Sequence, residues 1–366
     1  MMARRRRLKY GIQTKNGRCT ASEDCTAIFC LVMKIIQNVF FLIENNNRNH
    51  YNETHQMPDR LHTFCADDSA QLIRQEERNL SIFLQACVNG LLMGGFYSLM
   101  GMGQNVIFGV MKIVNFCHGE MLMVGMYLTY VLSTTFGLDP YLCVPLVAIL
   151  MFCLGAVIQH TLITPSLGTK SFTNLLFLTV GLGLLLSNGA LVLFGSEYRT
   201  IPTTYSQTYI SLGPVNLALP RLISFGVLIV ISVVLFAFLK YTKTGKQIRA
   251  VSQNPVGAEV VGINTKRIYI LTYGIGTALA GVAGARLTGF YTIFPTAGAS
   301  FGFRALIVVV VGGLGSIPGA FFAGIFLGLL ETMVALFISP SYSDLIVFIT
   351  FIVILVVRQL IIIRRK

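Results

Sequence analysis

Charged side chains are scarce in this sequence. They make up 12% of the 366 residues, whereas an average soluble protein has about 25%. Hydrophobic side chains make up 54%, and the mean hydropathy is +0.71. Because a soluble domain needs more charge on its surface, the composition excludes that class and indicates an integral membrane protein.

Motifs for enzyme and metal chemistry are also missing. The sequence has no Gly-x-x-x-x-Gly-Lys-Ser/Thr loop, and the nearest fragment, Thr244–Gln247, lacks both the glycine spacing and the hydroxyl. His118 and Glu120 have no third His or Cys nearby, so they fall short of a zinc ligand set. The eight cysteines form no Cys-x-x-Cys pair, and several lie in apolar segments. We therefore expect no catalytic residue, no metal and no cofactor.

The excess of positive charge indicates membrane topology. The formal net charge is +13, and the basic residues gather in connections and tails. The connection from Lys240 to Arg267, called the basic connection below, holds six basic residues against one acid, Glu259. It is predicted to be cytoplasmic, as is the Arg364-Arg365-Lys366 tail, because basic loops stay on that side of a membrane. No nucleic-acid partner is expected.

The chain divides into two regions by composition. Residues 1–79 are predicted to be an N-terminal extension, and residues 80–366 a membrane domain. The extension has a weak apolar run, Ala27–Ile43, and a polar segment that cannot bury much apolar area. We expect it to be largely disordered or an interfacial helix, or the product of a start assigned too early, with Met57 as one true start. A signal-like segment is the alternative.

The fold class is predicted to be all-α, a polytopic membrane bundle of about eight transmembrane helices. A span needs about 20 apolar residues, and Met121–Phe136 is short for a full crossing. Two further runs, Asn105–Met111 and Arg304–Val311, are too short to span and predict broken or re-entrant half helices. The eight candidate spans are Ile82–Leu99, Met121–Phe136, Tyr141–Ile163, Asn174–Phe194, Leu222–Leu239, Tyr269–Thr288, Pro318–Ile338 and Leu345–Ile363.

A polar break interrupts the apolar stretch Phe108–Tyr127. It consists of Asn115, His118, Gly119 and Glu120, after which the apolar sequence resumes. Irregular backbone and ionisable side chains at membrane depth must be buried in protein or line a wet cavity. These four residues are therefore candidates for a translocation pathway. A short interfacial turn between two spans would explain them equally well.

Three glycines and one acid complete the pathway candidates. Gly312, Gly313 and Gly315 follow the second short run, and glycine-ended half helices in comparable places of two halves are typical of transport pathways. Glu331 lies inside a predicted span. We expect it to be a structural partner of a neighbouring polar group, because buried acids in bundles usually pair within the protein.

A short capped helix is predicted inside the basic connection. Asn254 suits its N-cap, Pro255 its first turn and Gly262 its C-terminal stop. Lying along the membrane surface, such a helix can sit in a groove of a cytoplasmic partner and pass motion to the flanking spans. A solvated loop with a chance helix is the alternative.

Four sequence blocks resemble one transporter family. In chain order, the blocks are Asn89–Leu99, Phe108–Glu120, Gly262–Arg267 and Val311–Ala320. They are similar to the branched-chain amino acid ABC transporter permeases, specifically the short H-type inner-membrane subunit, across about residues 83–357. Urea and amide permeases share these blocks. The extension before Leu80 and the tail after Val357 depart from the family pattern.

The resemblance implies a bacterial importer in the inner (cytoplasmic) membrane. Its other parts would be a second, M-type permease subunit, two cytoplasmic ATP-binding subunits and a periplasmic substrate-binding protein. The segment Ala258–Gly262 resembles the coupling motif read by the ATPases of this family.

The implied cargo is leucine, isoleucine or valine, with urea or a short amide as the alternative. Amide dipoles of the broken helices could meet a carboxylate, and Phe108, Val114, Phe116 and Met121 would tolerate an aliphatic side chain. The residues alone leave open an ion-coupled secondary transporter with a proton or cation relay through Glu120, His118 and Glu331.

Overall fold

The computed structural model describes residues 61–167, 172–202, 208–212 and 215–364. The apolar run Ala27–Ile43 and the alternative start Met57 lie outside these ranges. Helix α1 begins at Leu61, so the predicted boundary between residues 79 and 80 falls inside a helix. The division into an extension and a membrane domain stays a prediction.

Helices and one β-hairpin make up the described residues. Helix α3 continues through a π-helical turn at Gln159–Ile163 and a last α-helical turn at Thr164–Leu167. A 3-10 turn, Pro340–Tyr342, precedes the last helix. The elements are α1 (Leu61–Met111), α2 (His118–Phe136), α3 (Cys143–Ile158), α4 (Phe172–Phe194), β1 (Tyr209–Leu212), β2 (Val215–Ala218), α5 (Leu219–Tyr241), α6 (Lys243–Gln253), α7 (Pro255–Val260), α8 (Thr265–Leu287), α9 (Ala297–Gly312), α10 (Ile317–Phe337) and α11 (Ser343–Arg364).

The predicted membrane helix bundle is confirmed. Within the described ranges, seven helices are long and apolar enough to cross a membrane, and each contains most of one predicted span. The eighth prediction, Met121–Phe136, forms most of α2, which has 19 residues and is not among the seven. A short apolar helix, α9, contains the predicted run Arg304–Val311. Between α4 and α5, the antiparallel hairpin β1–β2 adds a feature that the sequence did not indicate.

The prediction that Asn105–Met111 is a separate half helix is wrong. Helix α1 continues unbroken through Met111, and its membrane part is 32 residues long. The glycines that precede this run in the sequence are packing positions: a Cβ on Gly101 would overlap Val308 of α9, and one on Gly103 would meet the carbonyl oxygen of Gly276 at 2.9 Å. The backbone becomes irregular only at residues 112–117.

Helices α1 and α10 pack antiparallel along a stripe of small residues. Gly90 lies against the backbone of Gly328, and Gly94 lies against that of Gly324. Ser98 Oγ donates to a carbonyl of α10 at 2.6 Å. Without a hydrophobic driving force between helices in lipid, such close backbone contact is what holds the pair together.

Helix α8 is the centre of the bundle, with 72% of its membrane window buried. Its glycines contact three helices: Gly276 lies against Ile107 of α1, Gly281 against Met151 of α3, and Gly284 against the backbone of α2. These contacts fix the start of α2 relative to α1 and α8.

Candidate translocation site and coupling helix

Two helices begin side by side inside the bundle. Helix α2 begins at His118 and α9 begins at Ala297. Gly119 lies so close to Gly298 and Gly302 that a Cβ on Gly119 would overlap the backbone of α9. The crossing therefore brings two helix N-termini, each with a partial positive charge from its free amides, into contact.

His118 shows the depth of this crossing. Its side chain is 1% exposed, and its Nε2 donates to the carbonyl oxygen of Met100 at 3.2 Å. Met100 lies well inside the membrane part of α1, Leu80–Met111. The two N-termini consequently meet deep within the bundle, away from either membrane surface.

Glu120 borders both N-termini. It stands in the first turn of α2, and a Cβ on Gly298 would come within 2.8 Å of Glu120 Oε2. A carboxylate is stabilised at a helix N-terminus by about 0.3–1 kcal/mol, and more in a partly buried setting. The half-buried Glu120 side chain thus occupies the position that the sequence analysis assigned to a carboxylate of the cargo.

Asn115 is held inside the irregular segment between α1 and α2. It is 2% exposed, its carbonyl oxygen accepts from Gln104 Nε2 at 3.0 Å, and its Oδ1 accepts from Cys117 Sγ at 2.9 Å. With Asn115 and His118 both enclosed by protein, the polar break is no interfacial turn in water. The alternative of a buried break is the one that the structure supports.

The glycine loop between α9 and α10 is tied to α1 by one amide. Asn105 Nδ2 donates to the carbonyl oxygens of Gly313 at 3.1 Å and Ser316 at 2.7 Å, and its Oδ1 accepts from the backbone nitrogen of Gly315 at 2.6 Å. Gly313 and Gly315 have φ angles of +94° and +86°, a region that favours glycine. Gly312 is buried against Gly319. This role of Asn105 was not predicted from the sequence, although a lone amide in an apolar run was a signal.

The two predicted sets of pathway residues lie at different depths. His118, next to Gly119, contacts Met100, whereas Gly315 lies near Gly109, close to the end of α1. The structure therefore brings Gly119 and Glu120 together with α9, and leaves the glycine loop nearer to the side of the basic connection.

Glu331 is paired within the protein, as expected. Its Oε1 accepts from Arg304 NH2 at 2.9 Å, and its Oε2 accepts from the Tyr97 hydroxyl at 2.7 Å. Arg304 also reaches Asp344 in the first turn of α11, at 2.6 Å. This network joins α1, α9, α10 and α11. The available sequence signal for it was a single basic residue, Arg304, within the apolar helix α9.

We expect Glu331→Ala to lower the free energy of unfolding by about 1–3 kcal/mol, because Arg304 and the Tyr97 hydroxyl then lose a partly buried hydrogen-bond acceptor. The Arg304 and Glu331 side chains are only 16% and 20% exposed. Asp344→Ala, which removes the 71% exposed partner, should cost under about 1 kcal/mol. Thermal unfolding of the detergent-purified chain measures both, and equal losses would contradict the role given to Glu331.

We expect His118→Gln to be better tolerated than His118→Asn. The contact with Met100 uses Nε2, and a glutamine amide reaches about as far as Nε2, whereas an asparagine amide is shorter. Keeping this hydrogen bond is worth about 1 kcal/mol. The readout is the amount of folded permease in the membrane and its melting temperature, and an asparagine variant as stable as the glutamine variant would refute the assignment.

The predicted capped helix within the basic connection is confirmed as α7. Asn254 Oδ1 accepts from the Gly257 backbone nitrogen at 2.9 Å, Pro255 is the first helical residue, and Gly262 has φ +83°. Ala258 is buried beneath the helix. The flanking helices α6 and α8 have their own N-caps, Thr242 and Asn264, so three caps in succession fix the geometry of this connection.

Glu259 joins α7 to α8. Its Oε1 accepts from the Thr265 hydroxyl at 2.5 Å, in the first turn of α8. Glu259 therefore has a structural role besides any contact with a partner.

Three valines form an exposed apolar patch on α7 and the residue that follows it, called the valine patch below. Val256, Val260 and Val261 are 71%, 83% and 74% exposed. They belong to the connection between α6 and α8, outside the candidate spans, where lipid tails do not explain exposed apolar side chains. This patch was not predicted from the sequence, because valines in a helix are usually core residues.

The family model "Branched-chain amino acid transport system / permease component" matches residues 86–355. The chain belongs to this family. The family is one of transport permeases, and the described part of this permease contains no cluster of three or more His, Cys, Asp or Glu side chains that could hold a metal ion.

Curated relatives agree with the family match. The permease is 30% identical to the high-affinity branched-chain amino acid transport permease LivH of Salmonella typhimurium, over 75% of this chain and 93% of the relative. It is 29% identical to LivH of Escherichia coli K12, with the same coverage. BraD of Pseudomonas aeruginosa is 29% identical over 75% of this chain and 94% of the relative. No solved structure gives a significant match.

The permease is a multi-pass protein of the bacterial inner membrane, a location supported by the seven apolar helices of its described part and its match to bacterial transport permeases. The family match begins at residue 86, after the predicted extension, and its end at residue 355 lies within α11.

Proposed function

We propose that this permease imports leucine, isoleucine and valine, driven by ATP hydrolysis in partner subunits. The similarity to permeases named for branched-chain amino acids supports the substrate class. The observation that carries the mechanism is the deep meeting of the N-termini of α2 and α9 beside Glu120. Helices that begin inside a membrane, next to an ionisable side chain, are typical of substrate pathways.

The proposed partners are an M-type permease, two cytoplasmic ATP-binding subunits and a periplasmic substrate-binding protein, with lipid around the bundle. The family description as one component of a transport system supports this composition. The sequence has no Walker-type loop, which supports the proposal that ATP binds to other subunits.

Helix α7 is the proposed coupling helix, and Asn254, Pro255, Ala258, Glu259 and Gly262 are its structural residues. Its valine patch offers an apolar contact for an ATPase on the cytoplasmic side. The Glu259–Thr265 hydrogen bond carries a displacement of α7 to α8, and Gly284 of α8 lies against the backbone of α2. A movement of α7 therefore has a contact path to the N-terminus of α2.

The cargo chemistry follows from the groups around the crossing. Glu120 offers a negative charge to an α-ammonium group, and Phe116, which is 40% exposed, offers apolar surface to an aliphatic side chain. Met121, which the sequence analysis placed in the lining, is fully buried in the core. Among the proposed pathway residues, the half-buried Glu120 lines the pathway, and the buried Asn115, His118 and Gly119 hold the backbone that forms it. The engagement of Glu331 with Arg304 and Tyr97 disfavours a proton relay through it.

Radiolabelled uptake by the reconstituted five-subunit complex tests this function. We expect leucine uptake that needs ATP and that excess isoleucine or valine inhibits. Urea should neither be transported nor compete. Urea uptake that excess leucine leaves unchanged would replace the substrate assignment, and uptake that needs an ion gradient but no ATP would overturn the coupling mechanism.

A further inference from the structure

A cavity of about 570 Å³ opens at the end of the bundle opposite the basic connection. Its walls come from the N-terminal part of the membrane segment of α1, residues 200–202, the β-hairpin, the start of α5 and the loop at residues 288–292. This loop leads from α8 to α9, whose N-terminus meets α2 at the proposed pathway. The cavity therefore adjoins the loop whose backbone continues into α9 at the proposed pathway.

Arg221 is the one charged residue among the described side chains that line this cavity. Its guanidinium lies 5.3 Å from the centre of the Phe290 ring and donates a single long hydrogen bond, to Asn89 Oδ1 at 3.4 Å. A guanidinium has five N–H donors, so most of the N–H groups of Arg221 donate to no other described residue. A carboxylate matches this group, because it accepts two parallel hydrogen bonds from arginine.

A second arginine of the same outer region shows the contrast. Arg199 donates to the Tyr130 hydroxyl at 3.0 Å and to the Phe194 carbonyl oxygen at 2.7 Å, and it also lies over the Tyr130 ring. Its guanidinium is used for structure, and it does not line the cavity.

The walls around Arg221 are fixed by hydrogen bonds. Gln85 pairs with Asn216 of the hairpin twice: Gln85 Nε2 donates to the Asn216 carbonyl oxygen, and the Asn216 backbone nitrogen donates to Gln85 Oε1, both at 2.8 Å. The Tyr141 hydroxyl donates to the Pro220 carbonyl oxygen at 3.1 Å, directly before Arg221. A binding group on fixed walls loses less entropy when it captures a ligand.

We propose that this cavity is an entry site that binds the carboxylate of an amino acid through Arg221 before the amino acid passes to the deeper pathway. Ile201, Phe290 and Tyr291 supply apolar wall for the aliphatic side chain. With no acid among the described lining residues, the cavity selects for a carboxylate over a neutral amide. This inference rests on the proposed import of amino acids.

Binding is tested with a fluorescent reporter in the full chain purified in detergent. The sequence has no tryptophan, so Phe290→Trp gives a single indole next to Arg221. We expect leucine to change its fluorescence saturably and leucinamide, which lacks the carboxylate, to have no effect. Adding Arg221→Gln should remove the leucine response. Equal responses to leucine and leucinamide, or a leucine response that survives Arg221→Gln, would overturn the proposal.

Transport by the reconstituted complex gives the second measurement. Arg221→Gln should raise the KM for leucine about tenfold and leave kcat near the wild-type value, whereas Arg199→Gln, as a matched control, should leave KM unchanged. An unchanged KM in Arg221→Gln refutes the entry site and leaves the import function standing. A wild-type complex that transports no leucine, while the reporter still responds to leucine, refutes the import function instead.

Discussion

Val260→Asp should reduce amino-acid uptake to less than a tenth of the wild-type rate while the permease still folds and inserts. Val260 is 83% exposed, so the change costs the isolated chain little. In the complex, burying a valine is worth about 1.5–3 kcal/mol, and an unpaired carboxylate in its place adds a desolvation cost. A loss of only 1.4 kcal/mol already weakens subunit association tenfold.

The measurement is uptake in vesicles together with the amount of ATP-binding subunit that co-purifies with the permease. Gln253→Asp is the matched control, because it adds the same charge at a position outside the valine patch. Gln253 is exposed and lies on the neighbouring helix, α6. It should leave uptake within about twofold of wild type, a change of about 0.4 kcal/mol. Wild-type uptake by Val260→Asp would remove α7 from the coupling mechanism.

Two substitutions of Glu259 distinguish the transmission of motion from α7 to α8 from the docking of α7 on an ATP-binding subunit. Glu259→Gln keeps an acceptor for the Thr265 hydroxyl and removes only the charge, whereas Glu259→Ala removes the hydrogen bond to α8. If α7 transmits motion through this bond, uptake should fall more in the alanine variant than in the glutamine variant. The same two variants should bind the ATP-binding subunit equally, and a parallel loss of binding would show that Glu259 belongs to the docking surface.

Features set by neighbouring residues were predictable from the sequence. The caps of α7 depend on a contact between positions 254 and 257, and its end depends on a glycine with φ +83°. Seven spans were predictable because about 20 apolar residues in a row have few stable alternatives. Each of these signals lies within one segment of the chain.

Features set by distant residues were not predictable in the same way. The continuation of α1 through Asn105 depends on carbonyl oxygens more than 200 positions away, without which a polar residue in an apolar run suggests a break. The pairing of Arg304 with Glu331 joins two helices, and the sequence indicated only that the acid needs a partner. The depth of the polar break was also ambiguous from the sequence. It depends on a contact between two different helices, from His118 of α2 to Met100 of α1.

Gly119→Ala should destabilise the permease and abolish uptake. Gly119 lies in a regular helix, where alanine is ordinarily favoured over glycine by about 1 kcal/mol. Here the added Cβ would overlap the backbone of Gly298 and Gly302, and a backbone cannot rotate away as a side chain can. Overpacking costs about 1–3 kcal/mol where side chains adjust, so we expect a loss at the upper end of this range and a displaced α9.

Gly189→Ala is the matched control for this change. Gly189 also lies in a membrane helix, α4, but a Cβ there would meet no atom within 4 Å. The same substitution should therefore leave stability unchanged or raise it by up to about 1 kcal/mol. Among the detergent-purified variants, the melting temperature should fall in Gly119→Ala and stay at or above the wild-type value in Gly189→Ala, with uptake lost only in Gly119→Ala. If Gly119→Ala melts at or above the wild-type temperature and transports leucine normally, α2 and α9 do not meet as described, and the proposed pathway loses its structural basis.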